Sequence, residues 1–244
     1  MGRQGTSPTH HLRDFFGPKA VFHGFNLVKS SGPNSCPIVD RAGKVCAVYG
    51  GAPDDPDFMA TVHDPAVEAM EQARAKASLT PDRFFHRRGN FGQLSGGDSH
   101  GGRQVEPGAL VNGVINTAIF LSLISNDPFI RLAGFVTGLF ANWALKLFDL
   151  YVDYMGEFYS HHTNLRRPFV NSIWSACTFN LGPYMCALGH RDFANLVFGW
   201  CAITAFGLFD WKRGGHLILW DCKLILEFPP SCTHSHPQRC NLSF

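Results

Sequence analysis

Three things are scarce in this chain, and each scarcity removes a class of function. The first is an excess of one charge: 21 Lys and Arg stand against 19 Asp and Glu, a formal net charge of +2 over 244 residues. That balance carries no polyanion-binding footprint, so any nucleic-acid contact has to be local. The second is an apolar leader, because the chain opens Met1-Gly-Arg-Gln-Gly5 with no hydrophobic run behind it. Without a secretory signal, the cysteines at 36, 46, 177, 186, 201, 222, 232 and 240 are expected to be reduced and mostly buried, and the protein nuclear or otherwise intracellular. The third is a phosphate cradle: the glycine-dense run Arg88 to Gln104 has no Lys-Ser/Thr ending. It reads as a flexible lid or a close backbone approach.

What is present is a large apolar share, 45% of residues, enough for a substantial core. Residues 1–62 are rich in Gly, Pro, Ser and His and read as an irregular region with short β-like pieces at Ala20 to Val28 and Lys44 to Tyr49. A helix is then well marked, with Asp64 as N-cap and Pro65 at the first helical position, running to Lys76. Two more helical patterns follow, Leu110 to Ser125 and Pro128 to about Tyr159, the second with Leu132, Phe135, Leu139, Trp143, Leu147, Leu150 and Tyr154 near helical spacing.

Pro107 to Asn126 carries only Asn, Thr and Ser among its polar groups and is long enough to raise an integral-membrane alternative. Its asparagines, and Arg131 and Lys146 bounding the next apolar run, favour a buried helical layer and no membrane partner. After Arg166-Arg-Pro168 the pattern turns to strands at Phe169 to Phe179, Leu196 to Phe206, His216 to Trp220 and Leu224 to Phe228. Helices first and strands second define an α+β domain over 63–230, with helices buttressing a sandwich or small barrel.

The chemistry concentrates in Gly189-His-Arg-Asp-Phe-Ala-Asn195-Leu. His190 and Asp192, at alternate positions by a strand edge, can point to one side and hold one metal ion. Two histidines and a carboxylate in facial array suit Fe(II) with open positions for an oxo-acid and dioxygen. Taken alone, His-x-Asp also describes a surface histidine beside a salt-bridged aspartate. A kinase catalytic loop would need an Asn five residues after the Asp together with a glycine-rich strand-loop, and neither is present.

Arg167-Pro-Phe169, His190-Arg-Asp-Phe-Ala-Asn195-Leu and the runs Gly214-Gly-His-Leu-Ile-Leu-Trp-Asp221 and Leu224 to Pro230 together resemble the TET/JBP family of 2-oxoglutarate and Fe(II) dependent dioxygenases, in particular its fungal, transposon-associated branch. The resemblance covers about Gly89 to Pro230. It implies helices packed on a double-stranded β-helix, or jelly roll. It also implies oxidation of 5-methylcytosine or thymine in DNA, with Fe(II) and 2-oxoglutarate as cofactors and a flipped base as substrate. His190 and Asp192 match the first two iron ligands. Asn195 matches the asparagine that contacts the base, against a plainer role as a turn-stabilising amide.

The same resemblance calls for a further strand ending in a distal His, followed by an Arg for 2-oxoglutarate. Residues 231–244 read Ser231-Cys-Thr-His-Ser-His-Pro-Gln-Arg-Cys-Asn-Leu-Ser-Phe244 instead, so the jelly roll is expected to be incomplete and any oxygenase activity impaired. Cys232, His234, His236 and Cys240 fit no standard zinc spacing. Back-translated with one nucleotide removed, the tail can read as an apolar strand ending in His, which makes it a candidate for out-of-frame translation. A non-catalytic interaction module of the same fold is the other reading. The nucleotide sequence beyond Pro230 tests the frameshift: an alternative frame lacking the strand, the His and the Arg refutes it.

Overall fold

The computed structural model describes residues 9–86, 88–100, 104–183, 185–190, 199–237 and 242–243. Its strands are β1 (Asn26–Val28), β2 (Cys36–Val39), β3 (Val45–Gly51), β4 (Phe85–His86), β5 (Gly89–Asn90), β6 (Gly92–Ser99), β7 (Gly108–Ala109), β8 (Ala176–Leu181), β9 (Trp200–Thr204), β10 (Leu217–Leu219), β11 (Leu224–Leu226), β12 (Thr233–Pro237) and β13 (Leu242–Ser243). The α-helices are α1 (Asp64–Lys76), α2 (Pro81–Phe84), α3 (Val114–Ile124), α4 (Asp127–Trp143) and α5 (Leu145–His161). This is the mixed α+β class that the patterns predict, but not their order: β1 to β3 precede α1, and β4 to β7 precede α3.

Two four-stranded sheets form the β-rich half, ordered β1-β11-β10-β13 and β2-β3-β12-β9. They meet face to face, because Leu217, Leu219 and Leu226 of one sheet share a buried cluster with Tyr49, Ile38 and Ile203 of the other. The outer face of the first sheet is covered by the N-terminal segment, whose Phe15 packs on Ile218 and Ile225 beside Phe22, Phe25 and Trp220. The outer face of the second is covered by α4, through Leu139 and Phe140 against Val48 and Trp200. Every sheet face therefore finds a partner, as an apolar face must.

A third sheet, β7-β6-β8, lies against α1, α3 and α4: Leu94, Phe179 and Leu181 pack with Ala66, Ala73, Phe120, Leu123, Phe129 and Ala133. Here the structure corrects the reading of the glycine-dense run as a lid. Gly92–Ser99 is an eight-residue strand that pairs with β8 over Gly92 to Gly97 and with β7 at Asp98 and Ser99. Glycine hides the alternation, since it contributes no side chain to either face. Its need is steric at two positions. A Cβ on Gly96 would sit 2.3 Å from the Phe120 ring, and Gly97, at φ +105°, lies where a Cβ would meet the Ser175 carbonyl at 2.3 Å.

Two further expectations change. The long second helical pattern divides at Ala144, whose φ −134° and ψ 44° are not helical, into α4 and α5. Of the uncharged stretch that raised the membrane alternative, only the 11 residues of α3 are helical, against roughly 20 for a bilayer crossing. No single described helix is long and apolar enough to cross a membrane, and α3 with α4 passes only as a pair bent by 67°.

The tail set apart at 231–244 is woven into both sheets. β12 runs antiparallel to β3 on one side and β9 on the other, and β13 pairs with β10. β12 is thus an interior strand, with Thr233, His234, Ser235 and His236 at most 1% exposed. Its polar groups escaped an apolar-pattern reading, yet most find partners: Thr233 Oγ1 bonds Thr204 Oγ1 at 2.8 Å and Ser235 donates to the Cys201 carbonyl at 3.0 Å.

Three buried histidines make this core acid-sensitive. Burial holds His63, His216 and His234 below the usual imidazole range, His234 well below it, with the neighbouring His236 adding to the effect there. Their folded-state pKa values are depressed, so the unfolded chain binds protons that the folded chain refuses. The stability they contribute is complete above the unfolded value near 6.5 and drains away as pH falls below it. The loss approaches about 1.4 kcal/mol per pH unit for the fully buried His234 and is smaller for His63 and His216. Thermal melts from pH 7.5 to 5.0 are expected to show a falling midpoint with proton uptake on unfolding; a flat profile contradicts the burial of these rings.

Candidate functional site

The third sheet presents two unlike faces. Along β6 the burial alternates, with Leu94, Gly96 and Asp98 turned to the helices and Gln93, Ser95 and Ser99 turned away. Antiparallel pairing sets Gln93 opposite Asn180 and Ser95 opposite Thr178. These side chains form one polar row: Ser95 Oγ lies 2.9 Å from Thr178 Oγ1, and Gln93 donates to Ser95 Oγ at 3.2 Å. The row lines a cleft of about 1720 Å³ between the third sheet, α5 and β9. Ordinary small-molecule sites run to roughly 1,000 Å³, so this one has room for more than a small cosubstrate.

His190 lies on the wall of this cleft. The chain reaches it through residues 185–190, tied to the sheet's edge by the Leu188 amide, which donates to the Arg88 carbonyl at 2.7 Å. His190 Nδ1 stands 2.8 Å from the Leu188 carbonyl oxygen. A carbonyl can only accept, so Nδ1 carries the proton and, in the neutral ring, Nε2 keeps its lone pair. That is the second-sphere arrangement which orients a metal-binding imidazole.

Asp192 and Asn195 lie outside the described residues, so the structure sets only His190 of the three predicted site residues in the cleft. Among the described residues no group of three His, Cys, Asp or Glu stands at metal-holding distance. Arg167, one of the arginines available for an anionic cosubstrate, has its guanidinium 4.9 Å above the Tyr159 ring, with a buried Nε lacking a hydrogen-bond partner. Tyr159 in turn donates to Asp98 at 3.0 Å. Burial pushes the pKa of both Asp98 and Tyr159 up, which keeps the phenol protonated as the donor.

Sequence reasoning missed much of this wall. Asp98 and Ser95 sat in the supposed lid, and Cys201 and His236, which also line the cleft, belonged to a plain strand and to the tail. The period-2 polar spacing of Gln93, Ser95 and Ser99 was the one available signal.

No protein-family model matches this chain, and no curated protein is similar to it. Among solved structures it is similar to NgTET1 in complex with 5mC DNA, with a TM-score of 0.58 at 15% sequence identity, over 90% of this chain and 75% of that one. At that identity the likeness shows a shared, TET-like fold and nothing finer.

The two faces of β6 predict unequal mutational costs. Gly96→Val drives a branched side chain into Phe120 and is expected to lose roughly 1–3 kcal/mol in urea unfolding. Ser95→Ala, on the cleft side, should stay within about 1 kcal/mol of the parent. Equal losses would contradict the assignment of faces.

Proposed function

We propose that this chain is a 2-oxoglutarate and Fe(II) dependent dioxygenase-like protein of the TET/JBP type, built on a jelly roll and directed at 5-methylcytosine or thymine in DNA. The motif likeness favours the fungal, transposon-associated branch and a nuclear location. The observation that carries the reading is His190: its Nδ1 is held by the Leu188 carbonyl, in the wall of a large cleft, on a fold similar to that of NgTET1.

His190 and Asp192 would hold the iron, and the donor chemistry present at His190 fits that role. Bound Fe(II) with 2-oxoglutarate supplies the oxidation of a methyl C–H bond. The chain's own groups would do the positioning. Trp174 and Phe206 give the cleft apolar surfaces suited to an unstacked base, and Asn195 would read its edge through an amide. The polar row Gln93, Ser95, Thr178 and Asn180 offers donors and acceptors along the opposite wall.

With two protein ligands assigned, iron binding and turnover are both expected to be weak, and a non-catalytic module of the same fold is the competing reading. Its support is that residues 231–244 carry no apolar strand ending in a distal His. Anaerobic titration with Fe(II) and 2-oxoglutarate distinguishes them. The dioxygenase reading predicts a visible chelate absorption band that His190→Ala abolishes, with iron affinity down by at least about tenfold. Absence of the band at saturating metal and cosubstrate overturns it.

A further inference from the structure

We propose that Cys201, paired with His236, is a thiol–disulfide exchange site that takes small disulfides admitted by the cleft. The strand register makes the pair. Cys201 of β9 lies directly opposite His236 of β12, and cross-strand neighbours on one face stand close enough for their side chains to meet. Cys201 Sγ is 3.2 Å from His236 Nε2, and it also lies 3.7 Å from the His236 carbonyl oxygen. A thiol within hydrogen-bond reach of an imidazole is the geometry of an activated sulfur nucleophile.

Access and burial divide the roles. Both residues line the cleft, with Cys201 half-buried and able to meet an entering molecule. His236 is 1% exposed and its ring stacks on His234, centroids 5.1 Å apart at 21°, which fixes the base in place. Moving the proton from Sγ to Nε2 creates a thiolate and an imidazolium side by side, with no net charge added to the interior.

The other thiols of the cleft lack this device. Cys177 and Cys186 also line it, Cys177 raised by burial to about 12 and Cys186 exposed at the surface, and neither has an imidazole partner among the described residues. Cys232 bonds the Tyr49 hydroxyl, and Cys46 bonds the Ile38 carbonyl, both away from the cleft.

The step balances within its named reactants. His236 Nε2 takes the Cys201 proton, Sγ attacks one sulfur of the disulfide R–S–S–R, and the S–S bond breaks as the new mixed disulfide forms. The leaving thiolate takes the proton back from His236 and departs as R–SH. Iron has no part in this chemistry, so it stands or fails separately from the dioxygenase reading. A group attached to Cys201 would nevertheless occupy the cleft that His190 faces, and so close that site.

The test uses the full chain with a metal chelator, exposed under native conditions to the disulfide cystamine, with adducts located by peptide mass mapping over time. Cys201 is expected to be modified about tenfold or more faster than Cys177 or Cys186. His236→Gln should slow Cys201 by a similar factor while leaving Cys186 unchanged, and Cys201→Ser should remove the fast phase. Equal rates for the three cleft thiols in the parent chain overturn the proposal, as does an unchanged Cys201 rate in a folded His236→Gln. If that variant does not fold by circular dichroism, the ranking in the parent chain and the loss in Cys201→Ser decide the matter.

Discussion

The β-rich half depends on one constraint: a polar strand held in the middle of a sheet. β12 is anchored by ladder bonds to β3 and β9 together, joining the first third of the chain to the last. Removing it would separate β3 from β9 and leave two unpaired edges in the core. The arrangement carries a cost. His234 is fully buried and both its ring nitrogens lack a hydrogen-bond partner, a deficit of about 1–3 kcal/mol for an unsatisfied buried group. The ladder and the surrounding apolar cluster offset it, with Tyr49 adding a bond to the Glu227 carbonyl that ties the sheets across their interface.

The same strand links architecture to chemistry. By fixing β9 it holds Cys201 and Trp200 on one side of the cleft. The β6–β8 ladder holds Ser95 and Thr178 on another, and the Arg88 to Leu188 bond holds His190 between them. Three separate backbone pairings thus converge on one cavity. That pre-organisation is what a reaction site requires.

Legibility followed side-chain signal. α1 was readable to within a residue: Pro65 falls in its first turn and Lys76 ends it, but Asp64 is its first helical residue and not its cap, and a π-helical turn, Met59–His63, leads directly into it. The strands at Leu217–Leu219 and Leu224–Leu226 declared themselves by β-branched and leucine runs. β6 and β12 did not. One has glycine at three of its eight positions, which contribute no pattern, and the other is Thr-His-Ser-His-Pro, whose burial is decided by partners more than 25 residues away in sequence. The break at Ala144 was invisible for a related reason: the apolar spacing continues through it, and Phe140 of α4 and Phe148 of α5 pack into one cluster on either side of it.

By itself, then, the sequence determined the mixed α+β class and the place of α1, and it marked His190 with Asp192 as candidate metal ligands. These follow from local periodicity, capping residues and donor chemistry, which need no knowledge of distant contacts. The tertiary structure alone decided that a glycine-dense run is a strand, that a polar tail is an interior strand, and that Cys201 and His236 share a cleft with His190. Those outcomes rest on pairing between segments far apart in the chain, where hydrogen-bond satisfaction and steric fit outweigh local preference.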